Sequence, residues 1–393
     1  MNYKIKSLEE HFDPTLKPKR ILTLDGGGVR GVVSLAFLEK IEEILKAKHG
    51  NNSEFRLCHY FDLIAGTSTG AIIAAALAWG HPVEFIKRKY FELATEVFER
   101  SRFRGGYLRY KFDKKVLENV LKDPEVFGGE NTRLGSPDIK TGLMIIAKRY
   151  DTCSPWPLWN NPNGKFYKML SDNISNADFP LWKVVRASTA APSYFKPEKI
   201  EVARETINGN VKTVGGLFVD GGVSTANNPA LQTFMATTLK GFNLYWDKGK
   251  DNILLISVGT GLRGSKLKTS CLPAKQAVNS LISMMNDCND HVETIMQWIS
   301  HSDTKREIDM EIGNLAGDRL CEEPALTYQR FNVIFSSNWM QANLAELNYQ
   351  SNRLKRFEKM DDPRNLDDLE RIGNLAATKQ IYNQHFPDSF NLQ

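Results

Sequence analysis

Cysteine is scarce in this sequence, and no cysteines have the spacing of a disulfide framework or a zinc site. The five cysteines stand at positions 58, 153, 271, 288 and 321, and no two of them form a C-x-x-C pair. An odd and scattered set is typical of a reducing compartment and argues against a disulfide framework or a zinc site. We therefore expect no metal ion and no cofactor in this protein.

Long apolar runs are also missing. The stretch from Met1 to Arg20 is charged and has no apolar core of the kind that a secretory signal needs. The longest apolar stretch, Ala71–Trp79, is far too short to cross a bilayer. We expect a cytoplasmic protein whose contact with a membrane is peripheral, at the inner face.

A strong charge of either sign is absent as well. The net charge is +5 over 393 residues, which suits an anionic surface or ligand but does not require a nucleic acid polymer as a partner. Hydrophobic residues make up 41% of the chain, enough for a sizeable core. The length allows either one large domain or two average ones.

What the sequence does contain is a G-x-S-x-G motif, in which Gly66 and Gly70 flank Ser68. A mostly apolar run of strand length, Phe61–Ala65, precedes it, and the Ala-rich stretch Ala71–Trp79 that follows predicts a buried helix. A strand, a tight turn and a helix are the context of a nucleophile elbow. The alternative is a serine in an ordinary Gly-rich turn.

A second Gly-rich loop, Asp25–Gly31, lies between a predicted strand and the start of a predicted helix. Three interpretations compete with a plain tight turn. A dinucleotide fingerprint would need an acidic residue at the end of the next strand, where Ser68 stands instead, and a phosphate-binding P-loop would need Gly-Lys-Ser/Thr. The third is an oxyanion hole made of glycine N–H groups, to which Arg30 could add positive charge.

Asp220 ends another apolar strand and precedes Gly221 and Gly222. Its carboxylate could reach the sheet edge that Ser68 occupies, although an Asp-Gly turn is common in any protein. A third loop, Gly259–Gly261, follows the strand Asn252–Val258 and is assigned only to the rim of the site.

Basic and aromatic residues alternate in one further segment, which we expect either to dock on lipid head groups or to be a solvated loop. Its basic members are Arg100, Arg102, Arg104, Arg109, Lys111, Lys114 and Lys115, and its aromatic members are Phe103, Tyr107, Tyr110 and Phe112.

Four blocks in one order resemble the patatin-like phospholipase family: Asp25–Gly31, Gly66–Gly70, Ala187–Phe195, and Val219–Gly222 with Asn227–Pro229. The resemblance covers roughly residues 18–262. It implies an α/β fold of three layers, α/β/α, with a mainly parallel central sheet and extra C-terminal helices. It also implies phospholipase A-type hydrolysis of phospholipid acyl esters by a Ser–Asp dyad through an acyl-enzyme.

The resemblance also implies roles for single residues. Ser68 would be the nucleophile and Asp220 the base. Apart from the resemblance, we expect Asp25 to brace its loop and not to react. The oxyanion hole would be formed by Gly26, Gly27, Gly28 and Arg30, and the other motif glycines are Gly31, Gly66, Gly70, Gly221 and Gly222. Residues 18–262 would be the catalytic domain, and residues 263–393 a helical extension packed on it as a cover, an oligomer contact or a regulatory layer.

Partners follow from the same resemblance. The substrate would be a phospholipid membrane surface. Some bacterial proteins of this kind are membrane-degrading antiphage effectors that cyclic nucleotides activate. Such an activator would bind basic residues, in Arg263–Lys275 or elsewhere in the C-terminal third, and a homo-oligomer is compatible with the sequence.

Two rivals stay open. A Ser–His–Asp esterase would need a histidine after the aspartate, for which His291, His301 and His385 are the candidates. A non-catalytic module would use the glycine loops to bind a lipid or a nucleotide.

Overall fold

The structure is a computed structural model that describes residues 3–99, 112, 114–168, 174–207, 210–264 and 273–393. Its strands are β1 (Lys19–Leu24), β2 (Leu63–Thr67), β3 (Gly142–Arg149), β4 (Ser154–Trp159), β5 (Glu198–Ile207), β6 (Asn210–Asp220), β7 (Ile253–Val258), β8 (Leu262–Arg263), β9 (Thr327–Phe331) and β10 (Ile334–Phe335). Its helices are α1 (Leu8–Phe12), α2 (Gly31–Lys48), α3 (Leu57–Tyr60), α4 (Thr69–Trp79), α5 (Val83–Glu99), α6 (Lys114–Leu121), α7 (Pro124–Phe127), α8 (Leu181–Ser188), α9 (Ala230–Thr238), α10 (Pro273–Ile299), α11 (Ser337–Asn343), α12 (Ser351–Phe357) and α13 (Leu366–Gln380).

One mixed sheet organises the molecule. Strands β3, β2, β1, β7 and β9 lie side by side and run parallel. β4 and β6 are antiparallel to β3, and β5 is antiparallel to β6. β4 pairs along one edge of β3, so that β2 and β6 share the other edge, one after the other. β8 and β10 form a separate small parallel pair.

The core lies on both faces of this sheet. Because side chains alternate along a strand, Leu22 and Ile64 join one apolar cluster while Ile21 and Leu63 join the other. Helices α2, α4, α5 and α13 pack on the first face, and α9 and α10 on the second. The fold is therefore the three-layer α/β/α arrangement that the sequence predicts, with a mainly parallel sheet.

Most predicted elements are found close to their expected bounds. One difference between prediction and structure lies at β4. The sequence predicts a loop from Tyr150 to Tyr167, because this stretch is rich in proline and asparagine. Residues Ser154–Trp159 instead form an edge strand. Proline is tolerated on an edge strand, where a missing N–H costs no ladder hydrogen bond.

The C-terminal third of the chain contributes to the central sheet. β9 pairs with β7 in parallel, in register from Thr327 opposite Leu254 to Phe331 opposite Val258. α13 packs on α2 so closely that a Cβ at Gly373 would lie 2.7 Å from the Cβ of Ala36. Within the part of the chain that is described, no helix is both long and apolar enough to span a bilayer.

Candidate active site

The two residues predicted to form a dyad meet because β2 and β6 end at the same point of β3. The last residue of β2, Thr67, pairs with Ile146, and the last residue of β6, Asp220, pairs with the next residue of β3, Ala147. The carboxyl ends of β2 and β6 therefore point at each other. Ser68 follows directly, and its Oγ donates a hydrogen bond to Asp220 Oδ2 at 2.6 Å.

Ser68 occupies a sharp turn between β2 and α4, with φ +55° and ψ −122°. A residue other than glycine is strained at positive φ, and such strain is typical of a nucleophile elbow. A Cβ at Gly66 would lie 2.1 Å from the carbonyl oxygen of Gly70, and a Cβ at Gly70 would lie 2.2 Å from that of Leu24. Both flanking positions therefore require glycine.

Ser188, in the block Ala187–Phe195, holds the backbone of this turn, although the sequence assigned it no role. Its Oγ accepts a hydrogen bond from the Ser68 N–H at 2.8 Å and donates one to the carbonyl oxygen of Ile146 at 2.6 Å. The hydroxyl is fully buried at the end of α8. It therefore ties the Ser68 amide to β3.

The loop from Gly26 to Gly31 lies against the serine turn. A Cβ at Gly26 would come within 3.0 Å of the Cβ of Ser68, and a Cβ at Gly31 within 2.2 Å of Thr69 Cγ2. Gly28 has φ +57°, and a Cβ there would lie 2.0 Å from the carbonyl oxygen of Met360. Side chains are thus excluded from the loop where it approaches Ser68.

Two N–H groups of this loop are free to act as donors. The Gly26 N–H bonds to the carbonyl oxygen of Asn227, and the Val29 N–H bonds to that of Met360. In the described residues, no acceptor takes the N–H of Gly27 or Gly28. Unpaired glycine amides beside a serine hydroxyl are suited to bind an oxyanion.

The environment of Asp220 makes it a stronger base than an ordinary aspartate. Burial raises its pKa to about 6, while the hydrogen bonds from Ser68 and from the Gly222 N–H act in the opposite direction. The Gly222 N–H donates to Oδ1 at 2.7 Å, which leaves Oδ2 for Ser68. A Cβ at Gly221 would lie 2.3 Å from the carbonyl oxygen of Ile146, so this turn also needs glycine.

Asp25, which opens the glycine loop, is held by a residue that sequence reasoning missed. Arg330, on β9, donates two hydrogen bonds to its carboxylate, at 2.8 Å to Oδ1 and 2.6 Å to Oδ2. Arg330 also donates to Ser257 Oγ at 2.8 Å. Both partners of the ion pair are 97% buried, and a bidentate pair of this kind fixes orientation as well as charge. The sequence predicts a strand from Ala325 to Ser336, but an arginine inside a strand is not a signal for a site.

The third glycine loop contacts the loop from Gly26 to Gly31 directly, and α10 is linked to that loop through Asn227, whose carbonyl oxygen accepts the Gly26 N–H. Thr260 Oγ1 donates to the carbonyl oxygen of Gly26 at 2.8 Å. Asn227 Nδ2 donates to Asn289 Oδ1 of α10 at 3.3 Å. The rim position predicted for Gly259–Gly261 thus has a specific function in the structure, which is to hold the loop from behind.

Arg30 is buried at the far end of this loop and lines a small cavity with Asp25, Asn227 and Asn289. Burial lowers its pKa to about 10, although the carboxylate of Glu358 opposes the shift. Its Nε is buried without an acceptor among the described residues. Arg30 therefore places a positive charge behind the loop.

The histidines of the rival triad lie in other surroundings. His385 is buried against Phe331, with 5.3 Å between the ring centroids, and His301 Nε2 is 3.8 Å from Asp303. His291 lies exposed on α10. Among the described residues the hydrogen-bond partner of the Ser68 hydroxyl is Asp220 alone.

The basic and aromatic segment is described only at its end. Arg100, Arg102, Arg104, Arg109, Lys111, Phe103, Tyr107 and Tyr110 lie outside the described residues. Phe112 stacks on Tyr194, with centroids 5.6 Å apart. No group of three or more His, Cys, Asp or Glu side chains suited to a metal ion occurs within the described ranges.

Comparison with known proteins gives one family. A family model described as patatin-like phospholipase matches residues 22–234, more than half of the chain. Patatin group A-3 of Solanum tuberosum is 30% identical over 261 residues, which cover 63% of this chain and 62% of that protein. Patatin group J-1 of the same species is 28% identical over 302 residues, which cover 70% of this chain and 72% of that protein.

The chain thus spans 62% of the length of Patatin group A-3. Among solved structures, VipD from Legionella pneumophila aligns over 91% of this chain and 67% of VipD, at 11% identity and a TM-score of 0.32. That TM-score is too low to indicate a shared fold.

Proposed function

The chain belongs to the patatin-like phospholipase family, and from this premise we propose that it is a lipid acyl hydrolase that cleaves phospholipid acyl esters with Ser68 and Asp220 as a dyad. The observation that supports this proposal most directly is the 2.6 Å hydrogen bond from Ser68 Oγ to Asp220 Oδ2. The carboxylate that accepts it has a pKa raised to about 6 by burial. A base of that strength can still be ionised at neutral pH and takes a proton more readily than an ordinary aspartate.

In the first half of the reaction, Ser68 Oγ attacks the acyl carbonyl carbon and its proton passes to Asp220 Oδ2. The carbonyl oxygen becomes an oxyanion, which the N–H groups of Gly27 and Gly28 stabilise; each such donor is typically worth about 2.7–4 kcal/mol of barrier. The ester C–O bond then breaks. The lysophospholipid oxygen leaves with the proton from Asp220, and the acyl group stays on Ser68.

In the second half, water attacks the acyl carbonyl and gives its proton to Asp220. The same two amides hold the second oxyanion. When the bond to Ser68 Oγ breaks, that oxygen recovers the proton, and the fatty acid leaves. Asp220 thus serves as base and acid in turn.

The test compares wild-type protein with Ser68→Ala and Asp220→Asn on vesicles of mixed phospholipids, with released fatty acids and lysophospholipids measured by mass spectrometry. We expect Ser68→Ala to lower turnover by about 10⁴-fold or more and Asp220→Asn by about 10²–10⁴-fold. Exposed residues provide matched controls, Ser337→Ala and Asp247→Asn, which should retain wild-type turnover. Wild-type turnover in Asp220→Asn would refute the dyad.

The domain organisation is part of the proposal. Residues 18–262 would form the catalytic domain, and residues 263–393 an extension that packs on it and adds β9 to its sheet. The contacts that support this role are those of Arg330 and Met360, which hold the oxyanion loop from the C-terminal side. The protein would work at a phospholipid surface as a peripheral, cytoplasmic enzyme.

Regulation by a cyclic nucleotide and assembly into a homo-oligomer complete the proposal. Support for an activator comes from the sequence between Arg263 and Lys275, which holds four basic residues and no acidic one. Addition of cyclic di- and trinucleotides to the vesicle assay should raise turnover for one of them. If none of them does so with an active preparation, the enzyme is constitutive.

A further inference from the structure

Arg330 lies between two buried carboxylates and bonds to only one of them. Its two Nη groups donate to Asp25 at 2.8 and 2.6 Å, whereas its Nε lies 3.9 Å from Glu293 Oε2, beyond hydrogen-bond distance. That Nε has no acceptor among the described residues. Each of the three side chains is at most 3% exposed, so none of them can turn to solvent. Two buried carboxylates therefore compete for one guanidinium, and Asp25 holds it.

Arg306, in the segment that follows α10, binds the other carboxylate. Its Nε donates to Glu293 Oε1 at 2.9 Å, and its Nη2 donates to Asp290 Oδ1 at 2.6 Å. Both acidic residues belong to α10 and stand three positions apart, so they lie on one side of the helix. A buried carboxylate without a partner destabilises a fold, and the Arg306 guanidinium provides that partner for Glu293.

The backbone of Arg306 is tied to α10 as well. Its N–H donates to Gln297 Oε1 at 3.1 Å, and Gln297 Nε2 donates to its carbonyl oxygen at 3.1 Å. The Gln297 side chain is buried. Arg306 Nη1 also donates to the carbonyl oxygen of Glu307 at 2.9 Å. The guanidinium is thus held by several acceptors on a fixed backbone and is preorganised to bind Glu293.

We propose that Arg306 is a positioning residue of the candidate site. By binding Glu293, it leaves Arg330 to Asp25. Without Arg306, the remaining cation within ion-pair distance of Glu293, among the described residues, is Arg330. An ionised carboxylate at 3.9 Å attracts a buried guanidinium more strongly than it would in water. Arg330 would then turn from Asp25 towards Glu293, and the start of the glycine loop would lose its paired bonds.

The consequence for the reaction follows from the position of Asp25. It is followed directly by Gly26–Gly28, and the N–H groups of Gly27 and Gly28 are the proposed donors to the oxyanion. Oxyanion donors act mostly in the transition state, so displacement of the loop should lower kcat more than it changes KM. The effect on kcat rests on the proposed hydrolysis, whereas the exchange of partners by Arg330 does not.

A second substitution separates this role from a structural one. Arg306→Gln leaves Glu293 without its cation, and kcat on a water-soluble short-chain ester should fall about tenfold with KM changed less than about twofold. The double variant Arg306→Gln/Glu293→Gln also lacks the competing carboxylate, so kcat should recover to within about threefold of wild type. If the pair only stabilised the fold, the double variant would be impaired at least as much. Arg319→Gln, exposed in the same segment, is the matched control and should keep wild-type kcat.

Crystal structures of Arg306→Gln and of the double variant test the exchange of partners without any use of activity. We expect Arg330 on Glu293 in the first structure and on Asp25 in the second. Arg330 still on Asp25 in Arg306→Gln would overturn the proposal, and so would a double variant whose kcat stays as low as that of Arg306→Gln. If the wild type hydrolyses no ester, the proposed function fails, and the two structures alone decide which carboxylate Arg330 binds. Circular dichroism gives the folded fraction of each variant, so that kcat refers to folded molecules.

Discussion

Asp220 is buried at the end of a strand, yet it has a hydrogen bond for each of its oxygens. The Gly222 N–H fixes one oxygen and leaves the other for Ser68. Burial raises the pKa of this carboxyl group to about 6 because the ionised form loses solvation that two donors replace only in part. The carboxyl group that accepts the hydrogen bond from Ser68 therefore has a pKa closer to neutral than that of an ordinary aspartate.

That raised pKa predicts the pH dependence of the reaction. Asp220 must be ionised to act as a base, so kcat/KM should be level above pH 6 and fall about tenfold per pH unit below it. An aspartate of ordinary pKa, about 3.9, would keep the full rate down to about pH 4. The measurement is kcat/KM on a water-soluble short-chain ester between about pH 4.5 and 8.5. Tryptophan fluorescence over the same range verifies that the fold persists, and a level profile down to pH 4.5 would contradict the assignment.

Arg330 holds Asp25, at the start of the glycine loop proposed to form the oxyanion hole, so its replacement should reduce the chemical step more than binding. Arg330→Lys keeps the charge but cannot make the paired bonds to Asp25. We expect kcat to fall about tenfold with KM changed less than twofold, and a larger fall in kcat for Arg330→Gln. Removal of one partner of a buried ion pair costs about 3–5 kcal/mol, so the folded fraction of each variant must be measured by circular dichroism.

The control for Arg330 is another arginine–aspartate pair of the C-terminal third. Arg353 binds Asp368, and both side chains are partly exposed. Arg353→Gln should leave both kcat and KM at wild-type values. If Arg330→Lys raises KM and leaves kcat intact, the pair serves binding and not the geometry of the loop.

Among single residues, the sequence identifies those whose immediate neighbours form a recognisable pattern. Ser68 stands in a motif, Gly26–Gly28 form a run, and Asp220 precedes two glycines, so each can be singled out without a structure. Arg330 cannot, because an arginine in a strand is ordinary and its partner, Asp25, lies 305 positions away.

Among the elements, the candidate site depends on the neighbouring ends of β2 and β6 along one edge of β3. The sequence predicts both strands, but it contains no signal that they lie end to end on one edge of β3. Such placement depends on β4, which occupies the other edge of β3 although its prolines predict a loop. The site thus depends on a pairing partner that local propensity argues against.

The elbow between β2 and α4 gives a prediction for Ser188. Its hydroxyl joins the Ser68 N–H to the carbonyl oxygen of Ile146, so Ser188→Ala leaves the strained turn with one fewer anchor. A buried hydrogen bond is worth about 1 kcal/mol net, and we therefore expect kcat to fall roughly five- to tenfold. Ser193→Ala, at an exposed position of the same segment, should have wild-type kcat. Equal activity of the two variants would show that the turn does not need this anchor.

In the molecule as a whole, the candidate site lies at one end of β2 and a cluster of charged side chains lies at the other. Asp62 immediately precedes β2, and Ser68 immediately follows it. Asp62 accepts hydrogen bonds from Lys6 at 2.6 Å, from His11 at 3.0 Å, and from the Arg20 N–H at 2.9 Å. Burial alone would raise the pKa of this carboxyl group, but Arg20, His11 and Lys6 hold it well below its usual value.

The lowered pKa of Asp62 predicts a contribution to stability with a defined pH dependence. A folded-state pKa below the unfolded value of about 3.9 means that the contribution is present above that pH and is lost as the pH falls through and below it. Asp62→Asn leaves Lys6, His11 and Arg20 without their common carboxylate, so we expect a loss of about 3–5 kcal/mol in the free energy of unfolding at pH 7. Denaturant titrations at pH 7 and pH 3.5 should show a smaller difference from wild type at the lower pH.

The same variant should leave the reaction itself unchanged, because Asp62 lies six residues before Ser68, which is about 20 Å along an extended strand. We therefore expect wild-type kcat per folded molecule for Asp62→Asn on the soluble ester, and no change in either property for Asp247→Asn, whose partner Lys17 is exposed. A fall in kcat with normal stability would instead couple the two ends of the sheet. The pKa shifts of the two aspartates support separate roles for the two ends of the sheet. The cations around Asp62 stabilise its ionised form and lower its pKa, which suits a residue that stabilises the fold. Burial of Asp220 destabilises its ionised form and raises its pKa, which suits a residue that accepts a proton.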